Sequence, residues 1–221
     1  MGEMIHFERP DGEQVPAYYA APPRANAPSV VVIQEWWGLN EQIARVADSV
    51  ARAGYRALVP DLYRGKLATD ADEASHLMSG LDWSAACAQD LRGALIHLKA
   101  AGGKAGVMGF CMGGALTIMA LANLDEADAG VCFYGIPPAQ AADLSKIETP
   151  LLAHFANEDD WCTPAAVDAL EAKLKAAGVA HEIHRYDAKH AFFNEARPEV
   201  HHAEAAALAW KRTEGFLRKH L

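Results

Sequence analysis

Short, nearly unbroken apolar runs alternate with stretches of helical periodicity along most of this chain. The runs are Ser29 to Ile33, Tyr55 to Val59, Ala105 to Met108, Ala129 to Tyr134, Pro150 to Phe155 and His181 to Tyr186. Continuous rather than alternating hydrophobicity is expected of strands covered on both faces, so the pattern predicts βαβ units and a mainly parallel twisted sheet with helices on both sides. Amphipathic stretches at Glu41 to Ala53, Trp83 to Ala101, Gly113 to Ala122 and Pro164 to Ala177 supply the helices, with a last one from about Pro198 to Leu221. Ahead of the first parallel strand, Ile5 to Glu8 and Val15 to Ala20 flank the turn residues Pro10-Asp11-Gly12-Glu13. That predicts an antiparallel hairpin, and Pro16, which lacks a ladder donor, places it at one edge of the sheet. Residues 65–81 are less regular and read as a helix or cap.

Size and charge narrow the picture. With 221 residues, 51% of them hydrophobic, the chain has material for one large core, and residues 1–221 are expected to form a single domain. Twenty Lys and Arg stand against 29 Asp and Glu, a formal charge of -9, so no basic face is available for nucleic acid or an anionic membrane. No apolar stretch reaches membrane-spanning length, and Met1-Gly2-Glu3-Met4 lacks the features of a secretory signal; a cytoplasmic location is the resulting expectation. Cys87, Cys111, Cys132 and Cys162 are widely spaced, with no CxxC pair. Neither a disulfide framework nor a metal site is indicated, and no cofactor is expected.

The chemistry concentrates in Gly109-Phe110-Cys111-Met112-Gly113, which follows a strand-like run and opens a helical stretch. A small-x-nucleophile-x-small pentapeptide at such a junction is the nucleophile-elbow pattern, here with cysteine. The sharp turn strains the nucleophile's backbone and leaves no room for side chains two positions to either side. It also sets the sulfur at a helix N-terminus, where unpaired N–H groups and the helix dipole favour a thiolate and then an oxyanion.

A thiol nucleophile needs a base, and the base needs an orienting acid. Among ten histidines, His190 lies just beyond the last strand, where a loop projects over the sheet's C-terminal edge, whereas His154, His181 and His184 lie within strand patterns. For the acid, Glu158, Asp159 and Asp160 all follow the strand ending near Phe155. Gln34-Glu35-Trp36-Trp37-Gly38 ends the first parallel strand, at the edge where open α/β sheets bind ligands. A carboxylate there, between an apolar strand and two indoles, is costly unless paired or functional.

Taken in order, Gln34-Glu35-x-x-Gly38, Pro60-Asp61-Leu62-Tyr63, Gly109 to Gly114, Phe133-Tyr134-Gly135, Phe155 to Asp159 with Pro164, and Tyr186-x-x-x-His190-Ala191-Phe192 resemble the dienelactone hydrolase family of the α/β-hydrolase superfamily. The resemblance implies an α/β-hydrolase fold and hydrolysis of a small-molecule lactone or activated carboxylic ester. It further implies Cys111 as nucleophile, His190 as base, Asp159 as orienting acid and Glu35 as a glutamate that contacts the resting thiol. The backbone N–H groups of Met112 and Trp36 match the oxyanion hole. One departure stands out. Members that act on carboxylated lactones use two arginines, one in the segment after the Pro-Asp-Leu-Tyr motif and one four residues past the histidine. Here Asn194 holds the second position, and no arginine occurs between Arg64 and Arg92. A neutral amide does not replace a bidentate guanidinium. Trp36, Trp37, Trp161, Phe192 and Phe193 instead suggest an aromatic or apolar acyl site, with Trp37, Phe192, Phe193 and Asn194 as pocket residues. One rival reading keeps the fold but makes Cys111 a redox-sensing or ligand-binding thiol in a non-enzymatic protein, and another keeps the machinery for hydrolysis of an unrelated ester or thioester.

Overall fold

In the computed structural model, which describes residues 2–24 and 26–221, the apolar runs line up as one eight-stranded sheet. In chain order the strands are β1 (Glu3–Glu8), β2 (Gln14–Ala20), β3 (Ser29–Ile33), β4 (Arg56–Pro60), β5 (Ala105–Phe110), β6 (Ala129–Phe133), β7 (Leu151–Glu158) and β8 (His181–Lys189). Their order across the sheet is β1-β2-β4-β3-β5-β6-β7-β8. β1 and β2 form the antiparallel hairpin at one edge, β2 runs antiparallel to β4, and all later pairs are parallel. Pro16 lies one residue outside the ladder to β4, which begins at Ala17.

Side-chain alternation splits the core into two layers. Val31 and Ile33 of β3 point into one, and Val30 and Val32 into the other. The first layer is closed by α4 (Arg92–Ala100), α5 (Met112–Asn123) and α6 (Pro164–Ala176), the second by α1 (Glu41–Arg52) and α7 (Ala203–His220). Because β3, β4 and β5 are covered on both faces, every residue in them is buried. α5 is apolar all round and buried from Met112 to Ala122, as a helix wedged at the centre of the fold must be. Caps set several boundaries. The Asn40 side chain accepts from the Ile43 N–H at the start of α1, and Thr163 caps α6, whose first residue is Pro164.

Three stretches differ from the periodicity. The expected helix from Trp83 to Ala101 is broken into α3 (Trp83–Ala85), a π-wound turn at Ala86–Leu91 and α4. The wide turn carries buried Asp90, which binds Arg64 at 2.6 Å and Arg9 at 3.4 Å and so ties hairpin and loop together. The last helix starts at Ala203 rather than Pro198, with His202 as its cap. Residues 65–81 contain α2 (Ala71–Gly80), capped by Asp70. Among the described residues no helix is long and apolar enough to cross a membrane.

Beneath the C-terminal half of the sheet, His154 is fully buried, with Nδ1 at 2.8 Å from the Tyr186 hydroxyl and Nε2 at 3.1 Å from Thr213 Oγ1. Burial, helped by His184 and Arg212, holds this imidazole well below its ordinary value. The folded protein keeps it neutral, while the unfolded chain takes up a proton below about pH 6.5. The unfolded state then binds more protons, so this contribution is complete above that pH and is lost as pH falls. Denaturant melts should show up to about 1.4 kcal/mol of destabilisation per pH unit from this site below about pH 6.5. His154→Gln is expected to flatten that slope, and an unchanged slope would contradict the assignment.

Candidate active site

The site grows from the β5–α5 junction. Cys111 sits between them with φ 54° and ψ -113°, a strained conformation for a non-glycine residue, as an elbow requires. The neighbouring glycines show why the turn tolerates nothing larger. A Cβ on Gly113 would lie 2.5 Å from the Ile33 carbonyl oxygen and 2.6 Å from that of Gln34, and one on Gly109 would run into the Gly113 backbone. The turn therefore packs against the end of β3 and leaves the Cys111 side chain facing outward; the other three cysteines are buried.

The loop after β8 brings His190 over this sulfur, with Nε2 3.2 Å from Cys111 Sγ. On the far side of the ring, Nδ1 lies 2.7 Å from Asp159 Oδ2. Of the three adjacent acids, the structure turns Asp159 inward, at 4% exposure, while Glu158 and Asp160 are exposed. The other Asp159 oxygen accepts 2.8 Å hydrogen bonds from the backbone N–H groups of Trp161 and Cys162. Burial works to raise the Asp159 pKa, but His190 and these two amides outweigh it and hold it below the ordinary carboxylate value. Burial likewise works against a charged His190, yet Asp159 and Cys111 push it up to about 10. This arrangement favours an imidazolium at His190 beside the Asp159 carboxylate. A ligand-capable atom of Cys162 lies within 4.8 Å of ones on Asp159 and His190. That thiol bonds the Tyr134 carbonyl at 3.3 Å, burial pushes it up, and the Asp159 and His190 atoms already bond each other.

Glu35 lies at the end of β3 with 4% exposure. The Tyr134 hydroxyl donates to its Oε1 at 3.0 Å and Asn194 Nδ2 to its Oε2 at 2.8 Å. Burial pushes the carboxyl up, and the two donors partly counter that. The expectation that Glu35 contacts the thiol is corrected: both its oxygens are engaged elsewhere, and the sulfur faces His190. Tyr134, at φ 39°, was not assigned a role from sequence although it sits in the Phe133-Tyr134-Gly135 motif. Its ring also meets His190 edge-on at 5.1 Å.

Cys111, His190, Glu35, Trp36 and Met112 line one cavity of about 270 Å³. Met112 is the first residue of α5, so its N–H has no partner within the helix. The remaining pocket residues expected from sequence lie elsewhere. Phe192 is fully buried against Tyr134 and Tyr186, and Phe193 packs on Phe110, Phe133 and Trp210. Asn194 is buried behind Glu35, and Trp37 stacks beneath Arg197, outside the cavity lining. The physical reason is the left-handed turn at Ala191, φ 63°, which sends the chain after His190 back into the core. The wall is built instead by Met78 of α2, Trp83 of α3, Ile136, Pro138, Trp161 and Arg197. Only Trp161 among these was singled out by sequence, because the others come from separate segments whose convergence is tertiary.

Comparison with known proteins identifies the family and the fold. The model of the dienelactone hydrolase family matches residues 15–221. The chain is 33% identical over 232 residues to the protein usf of Aquifex pyrophilus and 30% identical over 232 residues to an Aquifex aeolicus protein provisionally named carboxymethylenebutenolidase; each match covers all of both chains. A crystal structure from Klebsiella pneumoniae, provisionally described as a dienelactone hydrolase, superposes with a TM-score of 0.89 at 27% identity and covers all of both chains.

Proposed function

Because this chain belongs to the dienelactone hydrolase family and is a hydrolase of carboxylic esters or lactones, we propose that it works through an acyl-thiol intermediate on Cys111. The observation that carries the reading is the continuous chain Cys111 Sγ, His190 Nε2, His190 Nδ1, Asp159 Oδ2, with contacts of 3.2 and 2.7 Å. The thiolate attacks the carbonyl carbon, and the developing oxyanion is met by the backbone N–H groups of Met112 and Trp36. As the tetrahedral species collapses, the C–O bond breaks and His190 Nε2 gives its proton to the departing alkoxide. Water then transfers a proton to His190 as its oxygen attacks the acyl carbon, and the C–S bond breaks to restore the thiolate. Asp159 keeps the ring oriented and supports its charged form throughout. Glu35, held by Tyr134 and Asn194, supplies a buried carboxyl beside this pair without competing for the sulfur. Thiolate is itself a good leaving group, so the mechanism favours esters whose alcohol departs readily.

Selective alkylation tests the reading. Cys87, Cys132 and Cys162 are at most 5% exposed, so iodoacetamide should modify Cys111 first in the folded protein. Hydrolysis of an aryl ester or an enol lactone is expected to fall in step with that modification. Full turnover after complete alkylation of Cys111 would contradict the proposal.

A further inference from the structure

Trp161 is the largest exposed apolar side chain near the site, 65% exposed, and it stands between two hollows that both touch His190 and Arg197. The first is the cavity holding Cys111, Met112 and Trp36. The second, a wider groove of about 670 Å³, is lined by Glu158, Asp160, Thr163 and Lys189 and reaches neither Cys111 nor the two amides beside it. In an acyl-thiol mechanism the acyl carbon must sit on Cys111, with its oxygen toward Met112 and Trp36. The alcohol oxygen must instead lie within reach of His190 Nε2, which protonates it. The groove is also lined by Asp159, which bonds His190 Nδ1, whereas Nε2 faces Cys111 in the first cavity, so the reacting ester sits in that cavity.

Their walls differ in chemistry. The cavity is faced by Trp36, Trp83, Trp161, Met78, Ile136 and Pro138, and Trp36 meets Trp161 edge to face at 5.7 Å. Flat π-systems and a thioether accommodate an aromatic ring well. Its one guanidinium is already engaged: Arg197 Nε and Nη2 both lie 2.7 Å from Glu199 Oε1, and the group stacks over Trp37 at 5.4 Å. Among the described residues this leaves the cavity no uncommitted cation for a carboxylate on the acyl group. The groove, by contrast, presents charged and hydroxyl groups of both signs.

Resting on the Cys111 mechanism above, the geometry points to activated esters of uncharged aromatic acids as the substrate class, with Trp161 as a wall of the acyl cavity. Trp161 holds Asp159 only through its backbone N–H, at 2.8 Å, so changing its side chain leaves that hydrogen bond in place. Its role is specificity, read as a change in preference.

The test compares kcat and KM for the p-nitrophenyl esters of phenylacetic acid, acetic acid and succinic acid, the last as the hemisuccinate. The wild-type protein is expected to favour the phenylacetate over the acetate by about tenfold or more in kcat/KM and to use the hemisuccinate least. Trp161→Ala should bring the phenylacetyl-to-acetyl ratio toward unity, chiefly through KM, and Trp161→Phe should preserve most of it. An unchanged ratio in Trp161→Ala, or preference for the hemisuccinate, would overturn the inference while leaving the thiol mechanism standing. Failure of all three activated esters to acylate Cys111 or turn over would remove both.

Discussion

Replacing Cys111 by alanine is expected to lower ester turnover by about 10⁴-fold or more while leaving the fold intact. The loss is large because every covalent step of the proposed mechanism passes through this sulfur, and what would survive is only binding and the proposed oxyanion donors. The fold should persist because the elbow's geometry is set by other groups: the Cys111 N–H donates to the Phe133 carbonyl at 3.0 Å and the Ala115 N–H to the Cys111 carbonyl at 3.1 Å. Both bonds are backbone to backbone and survive the change. Circular dichroism and a denaturant melt close to wild type, together with the lost turnover, check the prediction. Turnover within a few-fold of wild type would send the nucleophile assignment elsewhere.

The second large effect is expected from Asp159→Asn, which should cost about 10³- to 10⁴-fold in turnover. The carboxylate uses both its oxygens as acceptors, one toward His190 Nδ1 and one toward two backbone N–H groups. An asparagine keeps a single acceptor oxygen. If that oxygen stays with the two amides, its NH₂ faces Nδ1 and forces the imidazole proton onto Nε2, so the ring meets Cys111 as a donor and cannot take the thiol proton. If the side chain flips, the NH₂ confronts the two amides and the loop loses its anchor. Either outcome disables the base, and thiol alkylation followed against pH separates the chemical effect from unfolding. A rate and profile equal to wild type would show that Asp159 does not orient His190.

The sheet was readable because its strands carry their burial in their sequence: past Ser29 and Arg56 at their starts, β3, β4 and β5 are apolar without interruption. The elbow was readable for a related reason, since steric exclusion at Gly109 and Gly113 leaves a compositional trace. The acid was less so. Glu158, Asp159 and Asp160 are equivalent as letters, and residue-level reading left all three open until the family resemblance favoured Asp159; the structure shows one side chain turned inward by the Trp161 and Cys162 amides. The π-wound turn at Ala86–Leu91 left no signal distinguishable from ordinary helical periodicity. The pocket was the least legible part. Phe192, Phe193 and Asn194 are adjacent to His190 in sequence, but the turn at Ala191 carries them into the core or behind Glu35, and Met78, Trp83 and Ile136 reach the cavity from distant segments.

Asn194 also explains how Glu35 is accommodated. A buried carboxyl held by two neutral donors, an amide and a phenol, makes no salt bridge among the described residues; burial pushes its pKa up, and the two donors, His190 and Arg197 counter that only in part. The thiol meanwhile rests on His190 rather than on Glu35. Cys111 is therefore already engaged with His190 before substrate arrives.

Intact-mass analysis of the protein quenched during turnover of an activated ester, followed by peptide mapping, reads the proposed acyl-thiol directly. The expected result is a mass increase equal to the acyl group, located on the peptide carrying Cys111, removed by hydroxylamine and missing in Cys111→Ala. Acylation mapped to another residue, or turnover by Cys111→Ala at the wild-type rate, would contradict the account.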